Sequence, residues 1–169
     1  MRILNRLSTI EASRIGRLSF ACFAMDILPA TFLDLGSLQR IERACFERDA
    51  WPWLDLMAVL TFPDVIRLKA VEDGKMIGFV AGDLRSSLQF SWIATIGVLP
   101  EYQRRGIGRA LLRACEEKMT TPQLRLCVRV DNGSAIRLYE SEGYQRIDLW
   151  KGYYRDGGAA LVMEKAKGG

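Results

Sequence analysis

The chain has 169 residues, with 24 Lys and Arg against 20 Asp and Glu, a formal charge of +4 and no histidine. That length supports one domain able to bury about 70% of the surface its unfolded chain exposes, and 49% hydrophobic with 26% charged residues is a globular composition. Without histidine there is no Ser-His-Asp or Cys-His nucleophile, no imidazole base and no His-ligated zinc.

Residues 1–24 hold Arg2, Arg6, Arg14 and Arg17 against Glu11, a net of +3, which leaves +1 for residues 25–169. The basicity therefore sits mainly in a short segment, and the body lacks the basic face of a nucleic-acid binder. The run from Leu18 to Ala24 is at the short limit of the ~7–15 apolar residues of a signal-peptide core, and Arg17 and Asp26 bracket it closely. Residues 1–24 read as a poorly ordered extension before a single domain over 25–169. No stretch approaches the ~20 apolar residues of a membrane span. Cys22, Cys45, Cys115 and Cys127 are scattered without a CxxC pair, which suggests a reducing, cytoplasmic setting and no metal site.

Alternation over 27–33 predicts a first strand, and Ser37 is placed to cap a helix over 38–48. Pro52 opens a second short helix to about Leu60, which Pro63-Asp64 ends. Residues 65–72 and 76–84 flank Asp73-Gly74, a hairpin signal. Residues 87–98 form a third, largely apolar strand expected to be buried on both faces. The stripe Ile107, Ala110, Leu111, Ala114 and Cys115 marks a helix over 106–118. Strict alternation over 124–130 places Leu124, Leu126 and Val128 on one face, with Arg125, Cys127 and Arg129 on the other. Asn132 caps a helix to about Ser141, Gly143 ends it, and strands over 144–150 and 159–164 close the chain. The order β-α-α-β-β-β-α-β-α-β-β combines hairpins with helical crossovers, so the class is α/β (α+β) with a mixed sheet.

The chemistry concentrates in Ile96-Gly97-Val98-Leu99-Pro100-Glu101-Tyr102-Gln103-Arg104-Arg105-Gly106-Ile107-Gly108-Arg109. A strand runs into a short glycine loop and then directly into a helix. Glycines allow close backbone approach, and the first helical turn offers unpaired N–H groups at the positive end of its dipole. Arg104, Arg105 and Arg109 add charge to what is a pyrophosphate-type anion site. No GxxxxGK[ST] string exists, and Gly106-x-Gly108 lacks the third glycine of a dinucleotide fingerprint.

The string Gln103-Arg-Arg-Gly-Ile-Gly108, with Val98-x-Pro100-x-Tyr102 before it, resembles the acetyl-CoA loop of the GNAT N-acetyltransferases. The run Asn132-Gly-Ser-Ala-Ile-Arg-Leu-Tyr139-Glu-Ser-Glu-Gly-Tyr144 resembles that family's second signature, and the likeness covers about residues 26–165. It implies a mostly antiparallel sheet with helices on both faces and a splayed parallel strand pair at the cofactor site. It further implies that Ile96, Gly97 and Val98 pair with the pantetheine arm and that Arg104, Arg105, Gly106, Ile107, Gly108 and Arg109 hold the pyrophosphate. Asn132 would contact acetyl-CoA, and Tyr139 would protonate the leaving thiolate. An amine attacks the thioester directly, so no histidine is needed.

Within the family the chain is similar to the ribosomal-protein N-alpha-acetyltransferase branch, on Ile41-Glu-Arg-Ala-Cys-Phe46, Pro52-Trp53, the 132–144 run and Tyr153-Tyr154 through Met163. That branch implies a peptide N-terminus as acceptor, held by Tyr153 or Tyr154. The sequence departs from it at Cys127, where the branch carries a glutamate base, and at Trp92, where a second lineage carries one. Acetylation of a small amine (a polyamine, an amino acid or an aminoglycoside) and a catalytically weak acetyl-CoA-binding module are the alternatives. The expected partners are acetyl-CoA and an amine, with no nucleic acid or membrane, in a monomer or homodimer.

Overall fold

A computed structural model describes residues 25–46, 50–84 and 89–167. The expected extension over 1–24, with Cys22, lies outside these. The element order follows the expected one: β1 (Asp26–Pro29), α1 (Leu35–Phe46), α2 (Trp53–Thr61), β2 (Val65–Glu72), β3 (Lys75–Asp83), β4 (Phe90–Val98), α3 (Ile107–Lys118), β5 (Gln123–Arg129), α4 (Gly133–Ser141), β6 (Gln145–Trp150) and β7 (Ala160–Ala166). The hairpin at Asp73-Gly74 forms because both residues take positive φ, 50° and 73°, as a tight primed turn requires.

The first strand is shorter than its alternation suggests. Thr31 donates its N–H to Asp34 Oδ2 at 2.8 Å, and this local cap bends 32–34 into a 3-10 turn. Lys69 Nζ on β2 holds the same carboxylate at 2.7 Å. Helix α1 then begins at Leu35, so Ser37 lies inside it and is not its cap.

Seven strands form one sheet in the order β1-β2-β3-β4-β5-β7-β6. All neighbours are antiparallel except β4 and β5, which are parallel. Helices α1 and α2 bury Leu38, Ile41 and Leu56 with Phe79 and Ala81 on one face. On the other face α3 and α4 bury Leu111, Leu112, Cys115 and Ile136 with Val80, Leu124, Leu126 and Met163. Each large core side chain of this kind contributes about 2–5 kcal/mol against truncation to alanine. The alternation of β5 is as predicted, with Leu124, Leu126 and Val128 buried and Arg125, Cys127 and Arg129 only half-buried. Strand β4 is not buried on both faces: Ala94 is exposed, and Thr95, Ile96 and Val98 are half-buried, because this half borders an open cleft.

Candidate active site

The site begins with one extra residue. Across the β3–β4 ladder Gly82 faces Ile93 and Ala81 faces Thr95, so Ala94 has no partner and forms a bulge. A bulge bends its strand and increases its twist. The parallel β4–β5 pairing runs from Phe90↔Gln123 to Ile93↔Leu126 and stops at this point. Beyond it the two strands diverge, and the β5-facing edge of residues 94–98 has no ladder partner among the described residues. The bulge also changes which side chains face which layer. Ile96 and Val98 turn toward the α3 side, while Thr95 faces α1.

A cleft of about 550 Å³ opens at this splay. Ile96, Gly97 and Val98 line it from β4, Gly106 through Arg109 from the loop and α3, and Asn132 and Tyr139 from α4, together with Arg104. Gly106 has φ 82° and caps α3, and Arg104 takes φ 63°. Alternation of such conformations turns successive N–H groups toward one concavity, a nest for an anion. A Cβ on Gly106 would meet nothing within 4 Å, so the glycine leaves the backbone open to the cleft. Gln103 Nε2 donates to the Val98 carbonyl at 2.9 Å and fastens the loop to the strand end.

Of the three loop arginines, Arg105 turns its guanidinium away from the cleft, and only its backbone N–H is left for the expected pyrophosphate contact. Its guanidinium pairs with Glu72 on β2, Nη1 to Oε2 at 3.1 Å, and lies 5.4 Å from the Tyr102 ring. Arg109 stays at the cleft but is held by Glu142 (2.8 Å) and Ser141 (3.1 Å). Asn132 caps α4 through Oδ1, accepting the Ala135 N–H at 3.1 Å. The expected helix cap and a position on the cleft are therefore both realised in one residue. Sequence reasoning missed Cys45, Phe46 and Arg137 as lining residues. Arg137 was legible in principle, since Ser134, Arg137 and Ser141 share one helical face.

Tyr139 is buried, 5% exposed, with its ring edge-on to Tyr144 at 5.9 Å. Burial, with the Tyr154 phenol nearby, pushes its hydroxyl well above the usual range. It carries its proton at neutral pH.

Cys127, Tyr153 and Tyr154 do not line this cleft; Cys127 lies on the face of β5 turned away from the Leu124, Leu126 and Val128 core. The Cys127 thiol is hydrogen-bonded to Tyr153, and burial pushes it up to about 11. A thiol raised this far carries its proton at neutral pH. Four rings continue from there: Tyr154–Tyr153 at 5.1 Å, Tyr153–Trp150 at 5.5 Å and Trp150–Trp92 at 6.0 Å. Arg129 covers Tyr154 at 4.4 Å and pairs with Asp156 at 2.7 Å.

A strand pair splayed at a bulge, beside a glycine loop that opens a helix, defines an acetyl-CoA-dependent N-acetyltransferase. The family model of the GNAT acetyltransferases matches residues 35–144, and the chain belongs to that family. It is 37% identical over 155 residues, 85% of this chain and 96% of the relative, to the N-alpha-acetyltransferase RimI of Mycobacterium tuberculosis. The crystal structure of the ribosomal-protein-S18-alanine N-acetyltransferase from Escherichia coli is similar, with a TM-score of 0.77 at 27% identity, covering 86% of this chain and 97% of that one. Arabidopsis thaliana NAA60, solved with acetyl-CoA, shares the fold, with a TM-score of 0.76 at 22% identity over 86% of this chain and all of that one. Acetyl-CoA is the acetyl donor. Among the described residues no helix is long and apolar enough to cross a membrane, and no cluster could hold a metal ion.

Proposed function

We propose that this enzyme acetylates the N-terminal amine of a protein, a ribosomal protein being the leading candidate, in the cytoplasm. The observation that carries this reading is the continuous aromatic wall Trp92, Trp150, Tyr153 and Tyr154, with Trp150 and Tyr153 exposed, a surface along which an extended peptide can lie. In this reading the N–H groups of Arg104 through Arg109 hold the pyrophosphate. The unpaired edge at Ile96–Val98 receives the pantetheine arm as a substitute strand, and Asn132 borders the arm. The Arg105 guanidinium serves the loop through Glu72 and not through the phosphates. The amine forms its C–N bond as the C–S bond breaks, and Tyr139 gives the departing sulfur its proton. Cys127 is a small neutral side chain beside Tyr153.

The small-amine reading is less well supported. A polycation needs unspent carboxylates, yet Asp156 is paired with Arg129 and Glu164 with Arg125 at 2.6 Å. The test is thiol release from acetyl-CoA with peptide N-termini, lysine peptides, polyamines and aminoglycosides. Peptide N-termini should give the highest kcat/KM. Preference for a polyamine would overturn the substrate assignment, and tight acetyl-CoA binding without turnover on any class would favour the binding-module alternative.

A further inference from the structure

An N-terminal amine arrives largely as an ammonium ion and must lose a proton before it can attack. The two family positions for a carboxylate base hold Cys127 and Trp92, so the acceptor lies elsewhere. One buried carboxylate reaches the first residue of β4 past the bulge. Glu42 on α1 is 2% exposed, and its Oε1 accepts the Thr95 hydroxyl at 3.2 Å. Its Oε2 lies 3.5 Å from the Trp51 N–H, at the edge of hydrogen-bonding range. Thr95 is the first residue of β4 past the bulge and the neighbour of Ile96. Thr95 is half-buried, with Glu42 behind it. One turn further along α1, Cys45 and Phe46 line the cofactor cleft itself.

We infer that Thr95 and Glu42 form a proton relay for the incoming amine. The Thr95 oxygen accepts a proton from the ammonium while its own hydroxyl proton passes to Glu42 Oε1, leaving a neutral amine and a carboxylic acid. Glu42 returns that proton to water after turnover. The second nitrogen proton, released as the C–N bond forms, restores the one Tyr139 gives to sulfur. Thr95 is the catalytic group that touches the amine, and Glu42 acts through it. Burial raises the proton affinity of Glu42 above that of an ordinary glutamate, which suits an acceptor. The groups that reach Glu42 are Thr95 from β4 and the Trp51 N–H from the segment before α2. Cys45, whose thiol is pushed up to about 11 by burial and by Glu42, and Arg43 are titratable neighbours on its own helix.

This relay rests on the reading of the chain as a peptide-amine acetyltransferase, so wild-type turnover on an alanine-initiated peptide is measured first; no turnover defeats that reading and not the relay. With turnover in hand, the pH profiles of Glu42→Gln, Thr95→Val and Thr95→Ser decide. Glu42→Gln and Thr95→Val should each lower kcat/KM at pH 7 by roughly fivefold to tenfold, down to the rate the already neutral fraction of the amine supports. Their rates should climb with pH toward the amine's own value of about 7.7–8.0, where neutral amine becomes abundant. Thr95→Ser should keep the wild-type profile, and acetyl-CoA affinity should not change in any variant. A wild-type rate and profile in Glu42→Gln, or a loss that tracks lost acetyl-CoA binding, overturns the relay. Should Glu42→Gln fail to fold, the contrast between Thr95→Val and Thr95→Ser carries the test alone.

Discussion

Arg105 and Glu72 join the glycine loop to the far end of β2, 33 residues earlier in the chain. Glu72 is buried at 6% exposed, and the pair is stacked beside Tyr102. Arg105→Gln and Glu72→Gln should therefore weaken acetyl-CoA binding alike, by roughly threefold to tenfold, and the double variant should be no worse than either single one. Calorimetric titration with acetyl-CoA measures this. An effect of Arg105→Gln without one of Glu72→Gln would return Arg105 to the phosphates.

Gly106 sits at φ 82° where α3 begins. An alanine there meets no obstacle in space but must adopt a left-handed backbone, at a cost of about 1–2 kcal/mol. Thermal unfolding of Gly106→Ala should show a Tm lower by about 2–8 °C, with weaker acetyl-CoA binding because the N–H groups of the turn are re-aimed.

Tyr139→Phe removes the proton donor and keeps the ring against Tyr144. Its kcat should fall about 100-fold while acetyl-CoA affinity is retained. Pre-steady-state thiol release resolves the two, and an unchanged kcat would remove Tyr139 from the chemistry.

Cys127→Ser should leave the neutral-pH rate unchanged, since its thiol is already protonated there. Cys127→Glu should raise turnover on peptide amines severalfold at pH 7 by restoring a carboxylate beside the splay. Steady-state assays of the two variants suffice.

Alkaline stability follows from three thiols. Cys45 and Cys127 are pushed up to about 11 and Cys115 to about 12, from an ordinary value of 9.0, chiefly by burial. Below pH 9 folded and unfolded chains both carry neutral thiols, and this contribution is fully present. As pH rises from 9 through 11–12 the unfolded chain ionises first, so stability is progressively lost. Denaturant midpoints taken from pH 7 to 11 should fall above pH 9, and less steeply in Cys115→Ala relative to its own neutral-pH value.

What was legible in the sequence was local. Asp73-Gly74, Gly106 and Asn132 each act within their own turn, so residue type was enough to place a hairpin and two helix starts. Competing local signals defeated the reading at 27–33, where the cap between Thr31 and Asp34 overrides the alternation of apolar residues. The rest depends on contacts distant in the chain. Nothing near Arg105 reveals Glu72, and nothing near Cys127 reveals Tyr153. Ala94 is invisible as a bulge because its extra place exists only relative to β3. Nothing near Glu42 reveals Thr95, 53 residues away, as its partner.

The unpartnered stretch of β4 has a further consequence. It amounts to an exposed strand edge in the middle of a sheet, the kind of surface that proteins elsewhere cover to avoid joining their neighbours. Here α1 on one side and the glycine loop on the other screen that edge from another chain, yet leave room for a slender, amide-bearing guest. In the function proposed above the amides of the donor pair with this edge, so donor binding should slow amide exchange across β4.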